Sequence, residues 1–302
     1  MKKHTLLTAV LAAMAGSAYA ADFTELQTIK ASEVRAAAAE IPSPAAAGIT
    51  MRAPSVSKNY AEAAAPIEWV YIDGGRFIMG ARSVEYGFED AGPAREVAIK
   101  SFYMSKTDVT VAQYAECVAQ GACTEPGTGD YCNWGKPGRG NHPLNCVDWS
   151  QASEYAGFKG ARLPSESEWE YAATSGGRAQ KYPWGNDTPT CDRVVMNTNG
   201  SGLDGLGCGS RSTLPVCSKP AGNTAHGLCD MAGNVWQWVQ DKYQDSYKGA
   251  PADGSAFEGA GSERVIRGGS FGTSDPRTLR AAYRSSTAPV TRHDTVGFRL
   301  AW

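Results

Sequence analysis

Eight cysteines, Cys117, Cys123, Cys132, Cys146, Cys191, Cys208, Cys217 and Cys229, constrain this chain more than any other feature. Their meaning depends on where the chain goes. It opens MKKHTLLTAVLAAMAGSAYA, a basic start, an apolar run too short to span a bilayer and a small-residue Ala-Tyr-Ala ending at Ala20. That pattern reads as a cleaved secretory signal over residues 1–20 and places the protein in the periplasm or outside the cell. An even cysteine count in an oxidising compartment argues for disulfides. Short loop closure favours pairing in sequence order, although spacing does not fix the connectivity. A zinc site lacks support: there is no Cys-x-x-Cys, and His4, His142, His226 and His293 stand singly.

The formal charge of −2 becomes more negative when Lys2 and Lys3 leave with the signal. No basic stripe is left to neutralise phosphates, so nucleic acid is not an expected partner. After the signal no apolar stretch is long enough for a membrane span. Residues 21–66 are dominated by alanine with interspersed proline, so their apolar content is more methyl groups than large side chains. Such a segment buries too little surface to offset its ordering entropy and is expected to be a linker, with a short helix in FTELQTIKASEVRAAAAEI.

The folded domain is expected over residues 67–302, long enough for one substantial core. EWVYIDGGRFIMG alternates apolar and polar residues around Gly-Gly and predicts a β-hairpin. Thr110 and Gln113 have the spacing of a capping box ahead of VAQYAECVA. A second helix is predicted over DWSQASEYAGF, and a third from Ser165, with Glu168 reaching back to the cap. Beyond Gly176 the sequence is glycine-rich and turn-rich, yet it carries tryptophans and half the cysteines. Cross-linked compact loops fit it better than disorder.

Eight phrases then occur in order: GGRFIMG, SFYMSKTDVTVAQYAECV, HPLNCVDWSQASEYAGF, ARLPSESEWEYAA, YPWGN, HGLCDMAGNVWQW, RVIRGGSF and VGFRLAW. Together they resemble the formylglycine-generating enzyme family, also called sulfatase-modifying factors. The resemblance implies an α+β fold of the modified C-type-lectin kind, with little regular secondary structure. It also implies an activity, oxidation of a sulfatase cysteine to formylglycine by a pair of copper-binding cysteines between the RGGS and GFR motifs. Those positions fall on or near Pro276 and Ala281, and all eight cysteines lie earlier in the chain. Two thiolates suit monovalent copper, whereas proline and alanine bind no metal. Copper is therefore not expected, and neither is formylglycine generation.

The resemblance also implies calcium, held by Asn234, the Val235 carbonyl and a glutamate. Gln237 stands in the glutamate's place, and Asn197 matches a further ligand. An amide oxygen still suits a hard cation, but losing a carboxylate weakens the site. The plainer alternative is that these amides bond loop backbone, and the sequence leaves both open.

Three functions remain. The first is a ligand-binding or interaction module that uses the C-terminal loop surface. Its candidate contacts are Thr273, Ser274, Asp275, Arg277, Arg280, Tyr283, Arg284, Ser285, His293, Asp294 and Trp236, and its ligand would be a small molecule, peptide or protein. These small and polar residues resemble the variable ligand-facing region of retroelement-diversified relatives. For the arginines, loop-holding salt bridges are the plainer role. The second is a cysteine-independent periplasmic oxidase resembling the relatives of pyoverdine maturation, with Asp241 and Glu170 as acid–base candidates. The third, a sulfatase-activating oxidoreductase with altered chemistry, ranks last. No phosphate-cradling glycine loop and no Gly-x-Ser-x-Gly elbow is present.

Overall fold

The computed structural model describes residues 64–81, 87–200 and 202–302. The expected signal, helix and linker before residue 64 lie outside the described residues.

Strands β1 (Trp69–Ile72) and β2 (Gly75–Met79) flank the Gly-Gly turn, but they do not form the predicted hairpin. β1 pairs antiparallel with β4 (Phe102–Ser105), and β2 with β3 (Arg95–Ile99). Gly74 shows why the chain changes sheets here. A Cβ at that position would sit 2.5 Å from the Ile99 carbonyl oxygen and 2.6 Å from Ser101 N, so the backbones cross where only glycine fits.

All three predicted helices form where their caps place them. In α1 (Val111–Ala119), α2 (Trp149–Phe158) and α3 (Glu166–Ala173) the cap side chains are Thr110, Asp148 and Ser165. Each accepts from the N3 backbone, and Gln113, Gln151 and Glu168 return the bond, which completes a capping box. Helix α3, ESEWEYAA, is buried at every position despite its three glutamates. That burial sets up the site, because charged side chains inside a protein need partners.

The remaining strands, β5 (Trp236–Lys242), β6 (Arg264–Arg267), β7 (Ser285–Thr287) and β8 (Val296–Phe298), form a sheet of order β7-β6-β5-β8. β5 and β8 run parallel and the other pairs antiparallel. One core packs Ile72, Phe102, Met104 and Trp169 around β1 to β4 and α3. A second packs Tyr114, Tyr155, Trp238 and Phe298 between α1, α2 and the larger sheet. The turn-rich region after Gly176 is held by cross-links. The four disulfides join Cys117 to Cys123, Cys132 to Cys146, Cys191 to Cys208 and Cys217 to Cys229, in sequence order, and no described cysteine is free. No helix among the described residues is long and apolar enough to cross a membrane.

Candidate functional site

Glu166 and Glu170 lie one turn apart on α3 and face the same way, toward two arginines delivered by the C-terminal part of the chain. Arg284 Nε donates to Glu166 Oε1 at 2.7 Å and Nη2 to Oε2 at 2.9 Å, and Tyr247 Oη donates to Oε1 at 3.2 Å. Arg267 Nη2 donates to Glu170 Oε2 at 2.5 Å and to the Ala281 carbonyl at 2.8 Å. The other carboxylate oxygen of Glu170 accepts from Gly80 N at 2.7 Å. Arg267 also lies over the Trp169 ring, and Arg284 over Tyr247.

The two acids respond differently. Burial pushes Glu166 up, but Arg284 and Arg267 together outweigh it and hold it below the usual carboxylate range. Burial also raises Glu170, and there Arg267 and the Gly80 N–H do not fully compensate. Asp241 is raised to about 7, by burial first and by the Glu166 charge next. Its two oxygens accept from Glu166 N at 2.6 Å and Phe257 N at 2.7 Å. It thus ties the start of α3 to a loop.

Glu170 is the one of these acids that reaches a cavity. A space of about 330 Å³ is lined by Glu170, Thr174, Phe88, Ile78, Ala282 and Arg280, with Arg178 and Lys181 also contributing. It lies at the small end of the range for ligand sites. A larger space of about 410 Å³ has Glu68 as its one titratable lining residue and collects no comparable chemistry.

The expected ligand surface does not come together as a single patch. Arg280 lines the cavity with its guanidinium over the Phe88 ring, 5.2 Å from the centroid. Tyr283 packs edge-on against Phe88 at 5.6 Å and lies 6.2 Å from the half-buried Trp236. Arg284 was expected to face a ligand and does not: it is 3% exposed and committed to Glu166. Asp275 and Arg277 pair with each other at 2.7 Å across a short turn. Ser274 is exposed. Thr273 Oγ1 accepts from Ser270 N, and Ser285 is a β7 residue opposite Ile266. His293 contacts Asp294 at 3.0 Å, and the Asp294 carbonyl is held by Asn145. Sequence reasoning missed Glu166, Phe88, Gly80, Arg178 and Lys181. Glu166 had a local signal in its place directly after the Ser165 cap, whereas Phe88 reaches the cavity through long-range packing alone.

The positions assigned to reactive thiols are occupied by structure. The Pro276 carbonyl accepts from Tyr182 Oη at 3.2 Å. Buried Ala281 donates its N–H to the Lys181 carbonyl at 2.8 Å, and its own carbonyl holds Arg267. With every described cysteine in a disulfide, these residues do not fit a copper–thiolate centre.

Of the implied calcium ligands, Gln237 does not fit a cation. Gln237 Oε1 accepts from Trp169 Nε1 and from the Arg299 guanidinium, both at 2.7 Å, so its acceptor capacity is filled by donors, one of them positively charged. Its Nε2 donates to the Asp230 carbonyl at 2.8 Å. Asn234 bonds the Leu214 N–H and carbonyl, both at 3.1 Å, beside fully buried Val235, and Asn197 Oδ1 accepts from Asn199 N. Their amides act as loop bolts, and no group of three or more His, Cys, Asp or Glu side chains suited to a metal occurs among the described residues.

The sulfatase-modifying factor enzyme 1-like domain matches residues 55–302. The formylglycine-generating enzyme of Streptomyces coelicolor is 32% identical over 279 residues, covering 77% of this chain and 88% of that one. The inactive C-alpha-formylglycine-generating enzyme 2 of Mus musculus is 30% identical over 278 residues, covering 77% and 84%. The solved structure of PvdO from Pseudomonas aeruginosa superposes with a TM-score of 0.65 at 34% identity, covering 78% of this chain and 94% of that one. The chain therefore belongs to the sulfatase-modifying factor family and has that family's α+β, formylglycine-generating-enzyme-like fold.

Proposed function

We propose that this protein is an exported, periplasmic or secreted member of the family that binds a small ligand in the Glu170 cavity and does not generate formylglycine. The observation that carries the reading is that C-terminal residues Arg280 and Ala282 meet α3 around a ligand-sized space to which no thiol contributes. Arg178, Lys181 and Arg280 favour a ligand with an anionic group, and Ile78, Phe88 and Ala282 give it an apolar wall. Family membership leaves the activity open, since one relative is named an inactive enzyme. Four disulfides agree with export into an oxidising compartment.

Two measurements test this. Incubation with a Cys-x-Pro-x-Arg peptide, copper and oxygen should leave the peptide mass unchanged, and a formylglycine product would overturn the reading. Calorimetric titration with aromatic and aliphatic carboxylates should give binding that Phe88→Ala and Lys181→Ala weaken; if no carboxylate binds, the anionic-ligand assignment fails.

A second reading, cysteine-independent oxidation, is favoured by Glu170 alone. It is a buried carboxyl with a raised pKa at a cavity wall, suited to moving a proton on a bound molecule. Under this reading Glu170→Gln abolishes turnover while ligand binding persists.

A further inference from the structure

Seven large apolar side chains are exposed among the described residues, and four of them, Trp69, Tyr71, Tyr103 and Trp302, gather on one sheet face. Tyr71 stands opposite Tyr103 across the β1–β4 pair. Tyr103 in turn exchanges backbone hydrogen bonds with Trp302, at 2.9 and 2.8 Å. The three rings therefore form a cross-strand row with centroids 5.2 and 5.5 Å apart, tilted by 57° and 44°. Trp69 lies two residues before Tyr71 and so shares its face. With Tyr103, Trp302, Lys159 and Gly160 it lines a cleft of about 250 Å³. Trp69 and Lys159 also border an adjoining space lined by Glu116, and Lys159 Nζ pairs with Glu116 Oε2 at 3.1 Å.

The core does not require these rings. Ile72, Phe102 and Met104 on the same strands point inward and fill it, and the outward positions of a half-buried sheet are ordinarily polar. Concentrated exposed apolar surface marks an interaction site, and its chemistry narrows the occupant. The cleft's one cation is matched by Glu116, so it lacks the positive groove that single-stranded nucleic acid needs. The cleft is lined by five residues, well short of the roughly 20–30 residues a side of a stable protein interface. A neutral row of tilted rings is matched by the C–H face of a sugar ring, held by dispersion and weak C–H contacts. The ammonium and carboxylate beside it supply a donor and an acceptor for hydroxyls.

We propose that Trp69, Tyr71, Tyr103 and Trp302, with the Lys159–Glu116 pair, form a binding site for a neutral, linear oligosaccharide. The site shares no lining residue with the Glu170 cavity and does not depend on the function proposed for it.

The test is titration of the full chain with cellotetraose and with triacetylchitotriose, followed by tryptophan fluorescence and calorimetry. Saturable binding of at least one sugar is expected, weakened about tenfold or more in both Trp69→Ala and Trp302→Ala, the size expected for a lost stacking contact. Tyr71→Ala should weaken it as well, and Val290→Ser, which removes a different exposed apolar side chain, should not. Because Trp69, Tyr71 and Trp302 lie outside both cores, the variants should stay folded and lose only the ring contacts, with melting temperatures lower by about 2–4 °C at most. Absence of saturable binding to either sugar, or binding unchanged in the tryptophan variants, overturns the proposal. So does a proline-rich peptide that binds the row when neither sugar does, or a dimer in sedimentation that Trp302→Ala dissolves, which would assign the face to a second copy.

Discussion

Arg284 reaches Glu166 across 118 residues of sequence and closes a two-bond fork on it, with 1% and 2% of the side chains exposed. The fork joins the first turn of α3 to the residue directly before β7. The arginines of that segment therefore divide by depth: Arg267 and Arg284 build the frame behind the cavity, and Arg280 lines the cavity itself.

Replacing Arg284 with methionine should destabilise the protein by about 3–5 kcal/mol, because it strands a buried carboxylate. Urea denaturation measures this. The variant's loss should shrink in acid, since Glu166 is held below its ordinary pKa. The stability that the pair contributes is present above the unfolded value of 4.5 and is lost as the pH falls through the folded one. A loss under 1 kcal/mol would place Arg284 outside the frame.

Asp241 should give the opposite slope. Its folded pKa of about 7 lies above the ordinary 3.8, so between those values the folded state holds a proton that the unfolded chain has released. Stability then falls as the pH rises through this window, by a few kcal/mol in all. Asp241→Asn should carry a constant cost for one lost backbone bond and show a flatter profile from pH 4 to 7. A parallel profile in thermal melts would refute the assignment.

The contrast between these acids shows what the sequence made legible. Local signals sufficed for the helices, because a capping box is written within four residues, as at Ser165 and Glu168. The order of eight phrases sufficed for the fold. The pairing of β1 with β4 was not legible, since the close approach at Gly74 is to Ile99 and Ser101, at the distant link between β3 and β4. The partners of Glu170 were hidden for a similar reason: Gly80 and Arg267 lie 90 and 97 residues away. Polar residues such as Asp275 and His293 read as a ligand surface, although each has a partner within two residues.

Two glycines with positive φ separate backbone strain from crowding. At Gly177, which lines the cavity, φ is +80° and an added Cβ would sit 2.3 Å from Phe77 Cβ; at Gly87, φ is +86° and nothing lies within 4 Å. Gly87→Ala should cost about 1 kcal/mol, for backbone conformation alone. Gly177→Ala should cost about 2–4 kcal/mol, because Phe77 must also move. Equal urea midpoints for the two variants would mean that the Phe77 contact is easily relieved.

The Cys191–Cys208 disulfide closes a loop with a sequence separation of 17 in the turn-rich region, where the one regular element among the described residues is the short 3-10 turn Leu203–Gly205. Replacing both cysteines with alanine should cost about 3 kcal/mol. Denaturation would read the loss, and an unchanged midpoint would show that side-chain packing alone holds the region.

Gln237 provides the test of metal dependence. Its Oε1 already accepts from Trp169 and from Arg299, which bonds the Cys229 carbonyl and lies 3.6 Å from buried Asp108. A cation placed on that oxygen would sit against the positive charge of the Arg299 guanidinium, already 2.7 Å from it, so thermal melts in calcium and in EGTA should coincide. Gln237→Ala should lower stability by about 2–4 kcal/mol in both, because an indole N–H and a guanidinium lose their shared acceptor. A calcium-dependent rise in melting temperature that Gln237→Ala removes would reverse this conclusion and restore the amide as a metal ligand.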